Sequence, residues 1–109
     1  MAGKTVEISP PIRLLVKRIG EKLAPVEVIL FGSRAKGDAF NSSDWDLLVI
    51  SNRFEGLSFR ERMDKVLSLI EKPVGQDVEV FCYTENDIQK RKNELGLVRD
   101  ALETGIPIK

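Results

Sequence analysis

The sequence predicts an α/β (α+β) domain in which helices pack on a small mixed β-sheet. Three observations predict it. Short, β-branched apolar runs occur at Val26–Phe31, Leu47–Ile50 and Val78–Tyr83. Segments with apolar residues at helical spacing alternate with them. Proline and glycine at Pro25, Pro73 and Gly75 separate the two kinds of segment. The resulting order is helix, strand, turn, strand, helix, strand, helix.

Each element has its own local signal. Ser9-Pro10-Pro11 is a cap followed by proline, the entry to a helix. Ile12, Leu15, Val16, Ile19 and Leu23 then line one face, and Pro25 ends the segment. Val26 to Phe31 reads as a buried strand, and Gly32 to Asp38 as a polar turn with a short helical piece. Asn41-Ser42-Ser43 is loop chemistry. Asp44 to Ile50 is a second strand, polar at its start and apolar after. Ser58 to Glu71 reads as a helix with Phe59, Met63, Val66, Leu67 and Ile70 toward the core. Asp77 to Tyr83 is the third strand. Thr84-Glu85-Asn86-Asp87 has the form of a capping box with aspartate in place of glutamate. Leu97 to Leu102 forms a last helical segment with Gly105 as its cap, and Ile106-Pro107-Ile108 returns as a short edge strand.

Composition bounds the chemistry. The 109 residues suit one domain spanning residues 1–109. Lys+Arg and Asp+Glu are both 17, so long-range attraction does not organise binding to nucleic acid or to an anionic membrane. Nucleic acid is therefore not the expected partner, although Lys90-Arg91-Lys92 forms a local basic cluster on what reads most simply as a solvated helix face. A single cysteine, Cys82, forms no intrachain disulfide and suits a reducing, cytoplasmic setting. It reads as a small core residue, with no base nearby to activate it. No signal-peptide pattern or membrane span is visible. The absence of histidine removes Ser-His-Asp, Cys-His and His-metal chemistry. Carboxylates, amines, hydroxyls, backbone and metal remain.

One constellation uses those groups. Gly32-Ser33 directly follows a strand, and Asp44 and Asp46 open the next one. Residues i and i+2 of a strand point to the same face, so these two carboxylates would project side by side. Adjacent carboxylates repel unless a cation lies between them. Mg²⁺ is the natural choice, since it takes oxygen ligands and shares its shell with substrate phosphates. Asp77 and Glu79 form a second i, i+2 pair on the third strand, and either supplies a third carboxylate. Gly32 lets the chain approach a phosphate closely, Ser33 offers a hydroxyl, and Arg34 and Lys36 add positive charge. Two metal ions can clamp the attacking and leaving oxygens of an in-line phosphoryl displacement.

Each feature also has a plainer reading. Gly-Ser after a strand is commonly only a turn, an isolated Asp-x-Asp is more often capping and solvation than a metal site, and Arg34 and Lys36 can be a solvated turn. The combination reverses the balance, because Asp46 adjoins Leu47-Leu48-Val49, where a carboxylate without a partner is costly. Glu79 between Val78 and Val80 invites the same argument, against the alternative of an exposed edge-strand acid. Trp45 falls on the face opposite the aspartates and reads as core.

Gly32-Ser33-Arg34-Ala35-Lys36-Gly37-Asp38 followed by Ser43-Asp44-Trp45-Asp46-Leu47-Leu48-Val49 resembles the signature of the DNA polymerase β-like nucleotidyltransferase superfamily. The resemblance is to its minimal, antitoxin-type members. Gly-Ser-x3-Gly-x5-Ser-Asp-x-Asp-Leu is matched at every fixed place, Ser43 included. The likeness is tight over residues 28–50 and loose elsewhere. It implies the polymerase β-like fold and transfer of a nucleoside monophosphate, most simply AMP from ATP, to a hydroxyl. It also implies two Mg²⁺ ions, or Mn²⁺, on Asp44, Asp46 and a third acid. In that frame the third acid lies on a later strand before a Thr-led helix, which favours Glu79 over Asp77. The resemblance further implies a small helical HEPN-type partner that the transferase modifies as the antitoxin of a toxin–antitoxin pair. A chain this short leaves little surface for a second substrate, in keeping with an acceptor site completed by another chain. The competing expectation is a lapsed enzyme, either nucleotide-binding or a structural subunit of a two-protein complex.

Overall fold

A computed structural model describes residues 7–36, 44–70 and 78–108. Its elements are α1 (Pro10–Leu23), β1 (Val26–Phe31), α2 (Ser33–Lys36), β2 (Trp45–Ser51), a 3-10 turn (Asn52–Phe54), α3 (Phe59–Leu67), β3 (Val78–Tyr83), α4 (Glu85–Arg91), α5 (Leu97–Thr104) and β4 (Ile106–Ile108). The sheet has the order β3-β2-β1-β4. β1 is antiparallel to β2 and β4, while β2 and β3 run parallel, so the sheet is mixed as expected.

Strand alternation sends side chains to two faces, and each face is covered by helices. Val28, Leu30, Trp45, Leu47, Val49, Val80 and Cys82 meet the apolar stripe of α1 and Val66 of α3. Ile12, Leu15, Val16, Ile19 and Leu23 are the buried residues of α1, as its sequence pattern predicts. On the other face Ile29, Phe31, Leu48 and Ile50 pack with Ile88 of α4 and Val98 and Ala101 of α5. β2 is covered on both faces and is the most deeply buried strand. Among the described residues, no helix is long and apolar enough to cross a membrane.

The helix at α3 departs from the expected pattern. It starts after Ser58, which forms a capping box with Glu61. Phe59 and Met63 are exposed rather than core, at 54 % and 37 %, and the charged Arg62 is buried in their place. Its guanidinium donates to the carbonyls of Leu57 and Cys82 and to Asp87. Three acceptors compensate the buried charge, and periodicity alone does not reveal them. Phe59 instead lies edge-on to Tyr83. Thr84 and Asp87 form the expected capping box at α4. Ile106 to Ile108 pairs with β1 as the expected edge strand.

Candidate active site

The register brings the candidate residues to one end of the sheet. β1 ends at Phe31, which pairs with Asp46 near the start of the antiparallel β2. Asp46 in turn pairs with Glu79 near the start of the parallel β3. Two strand starts and one strand end therefore coincide. Paired residues share a face, so Asp46 and Glu79 project beside Phe31 on the α4–α5 side. Asp44 lies one residue before β2 and is half-buried like Asp46.

Gly32 closes β1 with φ of 77°, in the left-handed region that favours glycine. A side chain there would also run into the carboxylate of Asp46. Glycine thus serves twice: it permits the turn, and it leaves room for the acid. Ser33, exposed, opens the short α2, and the Ala35 N–H donates to the Gly32 carbonyl. Arg34 stacks its guanidinium over Trp45, 4.5 Å from the ring centre. Trp45 is buried on the face opposite Asp46, in agreement with its reading as core. Lys36 ends α2. Its side chain, together with Ser43 and Asp77, lies outside the described residues.

The electrostatics single out Asp46. Burial, then the Glu79 carboxylate, then that of Asp44 push its pKa above the ordinary aspartate value. Among the described residues, no cation offsets these effects. Among the described residues, the side chains of Asp44, Asp46 and Glu79 make neither hydrogen bonds nor ion pairs. Nor are three acidic side chains grouped tightly enough there to hold a metal as they stand. The donor set itself is that of a hard divalent cation.

Glu79 corrects one sequence argument. It is exposed, so burial between Val78 and Val80 does not demand a metal there. Those valines belong to the opposite face, where Val80 is part of the core. The pairing with Asp46 is what draws attention to Glu79. Cys82 is a buried core residue as read, its thiol pushed up to about 12 by burial against a smaller opposing effect of Arg62. It is not a nucleophile at neutral pH.

The sequence reading missed one part of this neighbourhood. Ser9 and Arg13 of the α1 entrance join Arg34 and Trp45 in lining a cleft of about 590 Å³. The available signal was the spacing of Arg13 four residues after a proline-flanked cap, which also suits an ordinary solvated helix.

Comparison with known proteins points the same way. No curated protein matches the sequence. A solved structure from Sulfolobus solfataricus, at 1.40 Å resolution and described as that of a candidate nucleotidyltransferase, superposes with a TM-score of 0.56. The two share 25% identity over 98% of this chain and 89% of that one. The nucleotidyltransferase domain model matches residues 12–107, which run from α1 through β4 and include the Gly-Ser turn and all three carboxylate positions. The family generally uses nucleoside triphosphates together with divalent metals. With that match, the chain belongs to the nucleotidyltransferase domain family.

Proposed function

We propose that this chain, as a single domain, transfers AMP from ATP to a hydroxyl acceptor, with Asp44, Asp46 and Glu79 holding two Mg²⁺ ions. The observation that carries the reading is the register Phe31–Asp46–Glu79, which sets the Gly-Ser turn and three carboxylates at one sheet end. The raised pKa of Asp46 supports it, because a divalent cation would relieve that repulsion. The metals would supply charge neutralisation at the transferring phosphoryl group and lower the pKa of the attacking hydroxyl.

The residues of the chain divide the work. Asp44 and Asp46 would hold the metals, whose charge would draw in the α-phosphate. Gly32 admits the phosphate tail to the backbone, and Ser33 Oγ donates to it, with Arg34 or Lys36 countering its charge and Ser43, next to Asp44 in the sequence, assisting. Glu79 faces the acceptor and helps take up its proton. No histidine base is needed for this division of labour.

The acceptor belongs to a partner in this reading. The signature residues support this, since they resemble antitoxin-type transferases that modify a HEPN-type helical partner in the cytoplasm. Incubating the chain with a small HEPN-type helical protein, labelled ATP and Mg²⁺ tests this. Label on the partner is expected, and it should disappear with Glu79→Gln and persist with Asp77→Asn. Loss with Asp77→Asn alone would move the third acid by one strand repeat. No label on any acceptor, with Mg·ATP still bound, would favour the lapsed-enzyme reading.

A further inference from the structure

We propose that the groove between the start of α3 and the outer strand β3 is a docking site for a partner polypeptide, and that it takes a segment whose apolar side chains are flanked by carboxylates. The proposal goes beyond the nucleotide reading and does not depend on it.

Among the described residues, β3 is the last strand of the sheet. The groove is built from this strand, over Val80 to Tyr83, together with Phe59, Arg60 and Met63 of α3 and Arg91 of α4. Its volume is about 460 Å³, room for more than one side chain. The local cause is the way α3 sits. Because Arg62 is turned inward, Phe59 and Met63, one helical turn apart, are left on the surface. Single exposed apolar side chains are ordinary, but these two adjoin the half-buried Phe81 and Tyr83. Past Tyr83 and Arg91 a smaller pocket leads on to Leu95, which is 89 % exposed.

The surface is held in shape before anything binds. The rings of Phe59 and Tyr83 meet edge-on with centres 5.5 Å apart. The Arg62 guanidinium lies 5.1 Å from the Phe59 ring centre, and that of Arg91 lies 5.7 Å from the Tyr83 ring centre. Side chains already fixed lose little freedom on binding. Aromatic residues, Met and Arg are also the types enriched at protein–protein contacts.

Charge selects the occupant. Arg60 and Arg91 line the groove, and no carboxylate does. Lys90 and Lys92 flank Arg91 and are exposed. Arg60 has a long, exposed contact with Asp64, at 3.8 Å, which competes weakly with an incoming acid. Carboxylates beside the apolar side chains of a partner would pair with these arginines. A second copy docked by the same face would set arginine against arginine, which disfavours self-association. A nucleic acid strand would also find cations and rings here, but the net charge of zero and the apolar groove favour a peptide.

The position gives the docking a consequence. Glu79, Phe81 and Tyr83 alternate onto one face of β3. Phe81 lies 5.6 Å from Phe31, ring centre to ring centre, and Phe31 pairs with Asp46. A partner seated in the groove would lie beside the carboxylate end of the sheet.

The test titrates the full chain with a short fluorescein-labelled peptide of alternating leucine and aspartate, read by fluorescence anisotropy. The same peptide with lysine in place of aspartate, and oligouridylate, are titrated in parallel. The acidic peptide is expected to bind and the other two are not. Arg60→Glu and Met63→Glu should each weaken its binding roughly tenfold. Both side chains are exposed, so the melting curves should stay close to that of wild type. Arg13→Glu makes the same charge change at an exposed position of α1 outside the groove, and should leave binding unchanged. Failure of wild type to bind the acidic peptide overturns the proposal, as does equal weakening by Arg13→Glu and Arg60→Glu. Equal binding of the lysine peptide overturns the assigned occupant. Tighter binding of oligouridylate, lost in Arg60→Glu, would give the groove to nucleic acid, and a wild-type dimer that Met63→Glu dissociates would give it to a second copy. Either result overturns the proposal. Nucleotidyl transfer is not the readout, so each of these outcomes leaves the nucleotide reading standing.

Discussion

Asp46 and Asp87 are both half-buried aspartates next to β3, and the fold treats them in opposite ways. Burial raises the pKa of Asp87, but the Thr84 N–H, the Arg62 guanidinium and the Thr84 hydroxyl outweigh it and hold the group below the ordinary value. The Arg62–Asp87 pair is 2.9 Å long and joins α3 to α4. Asp46 has burial and two more carboxylates, and its pKa rises. The first arrangement is what a stable fold needs from an acid. The second stabilises nothing by itself and makes sense at a site that receives a cation.

The comparison predicts its largest effect on activity. Asp46→Asn or Asp44→Asn should reduce nucleotidyl transfer by at least about 10³-fold, since the proposed metals would carry several kcal/mol of transition-state stabilisation. Circular dichroism should show the fold retained. Full activity in both variants would put the chemistry elsewhere.

Arg62→Met sharpens the other side. It removes the Arg62 donor from Asp87 and the Cys82 carbonyl, and a loss of about 2–3 kcal/mol in urea unfolding is expected. Mg²⁺-dependent nucleotide binding by the folded fraction should be unaffected. A loss of stability below about 0.5 kcal/mol would reduce the pair to an ordinary surface contact.

A smaller effect concerns pH. The raised pKa of Asp46 means that folding favours its protonated form, so its contribution is most favourable at low pH and is lost as pH rises through its folded pKa. Asp46→Asn should therefore stabilise the metal-free protein at neutral pH, with the gain vanishing in acid. Asp87 has the opposite sign. Its contribution is present above the unfolded carboxylate pKa and lost as pH falls through the depressed folded value. Asp87→Asn should destabilise at neutral pH, and the difference should shrink in acid. Melting curves of both variants across the carboxylate range check the signs.

Much of this was legible in the sequence because the signals were local. The stripe of α1, the run of β1, the Thr84 cap and the return of Ile106–Ile108 all follow from spacing and propensity. The Gly-Ser turn and Asp-x-Asp were legible because each spans only two or three consecutive residues. Contacts between distant segments were not. Arg62 reads as solvated until Cys82 and Asp87 are brought to it from 20 and 25 residues away. Glu79 gains its interest from its cross-strand pairing, and the flanking valines that seemed to bury it face the other way. The Ser9–Arg13–Arg34 cleft draws on two elements separated by a strand, so no window along the chain contains it.

The contrast between the two aspartates is tested most directly by the melting temperature of wild type and Asp46→Asn, each with and without Mg²⁺ and α,β-methylene-ATP. Ligand that binds only the folded state raises stability by RT ln(1 + [L]/Kd), about 2.7 kcal/mol at one hundred times Kd. Wild type should show such a rise when metal and nucleotide are both present, and Asp46→Asn, although more stable without ligand, should show almost none. An equal rise in the two proteins, or none in wild type, would contradict the assignment of Asp46 to a metal–nucleotide site.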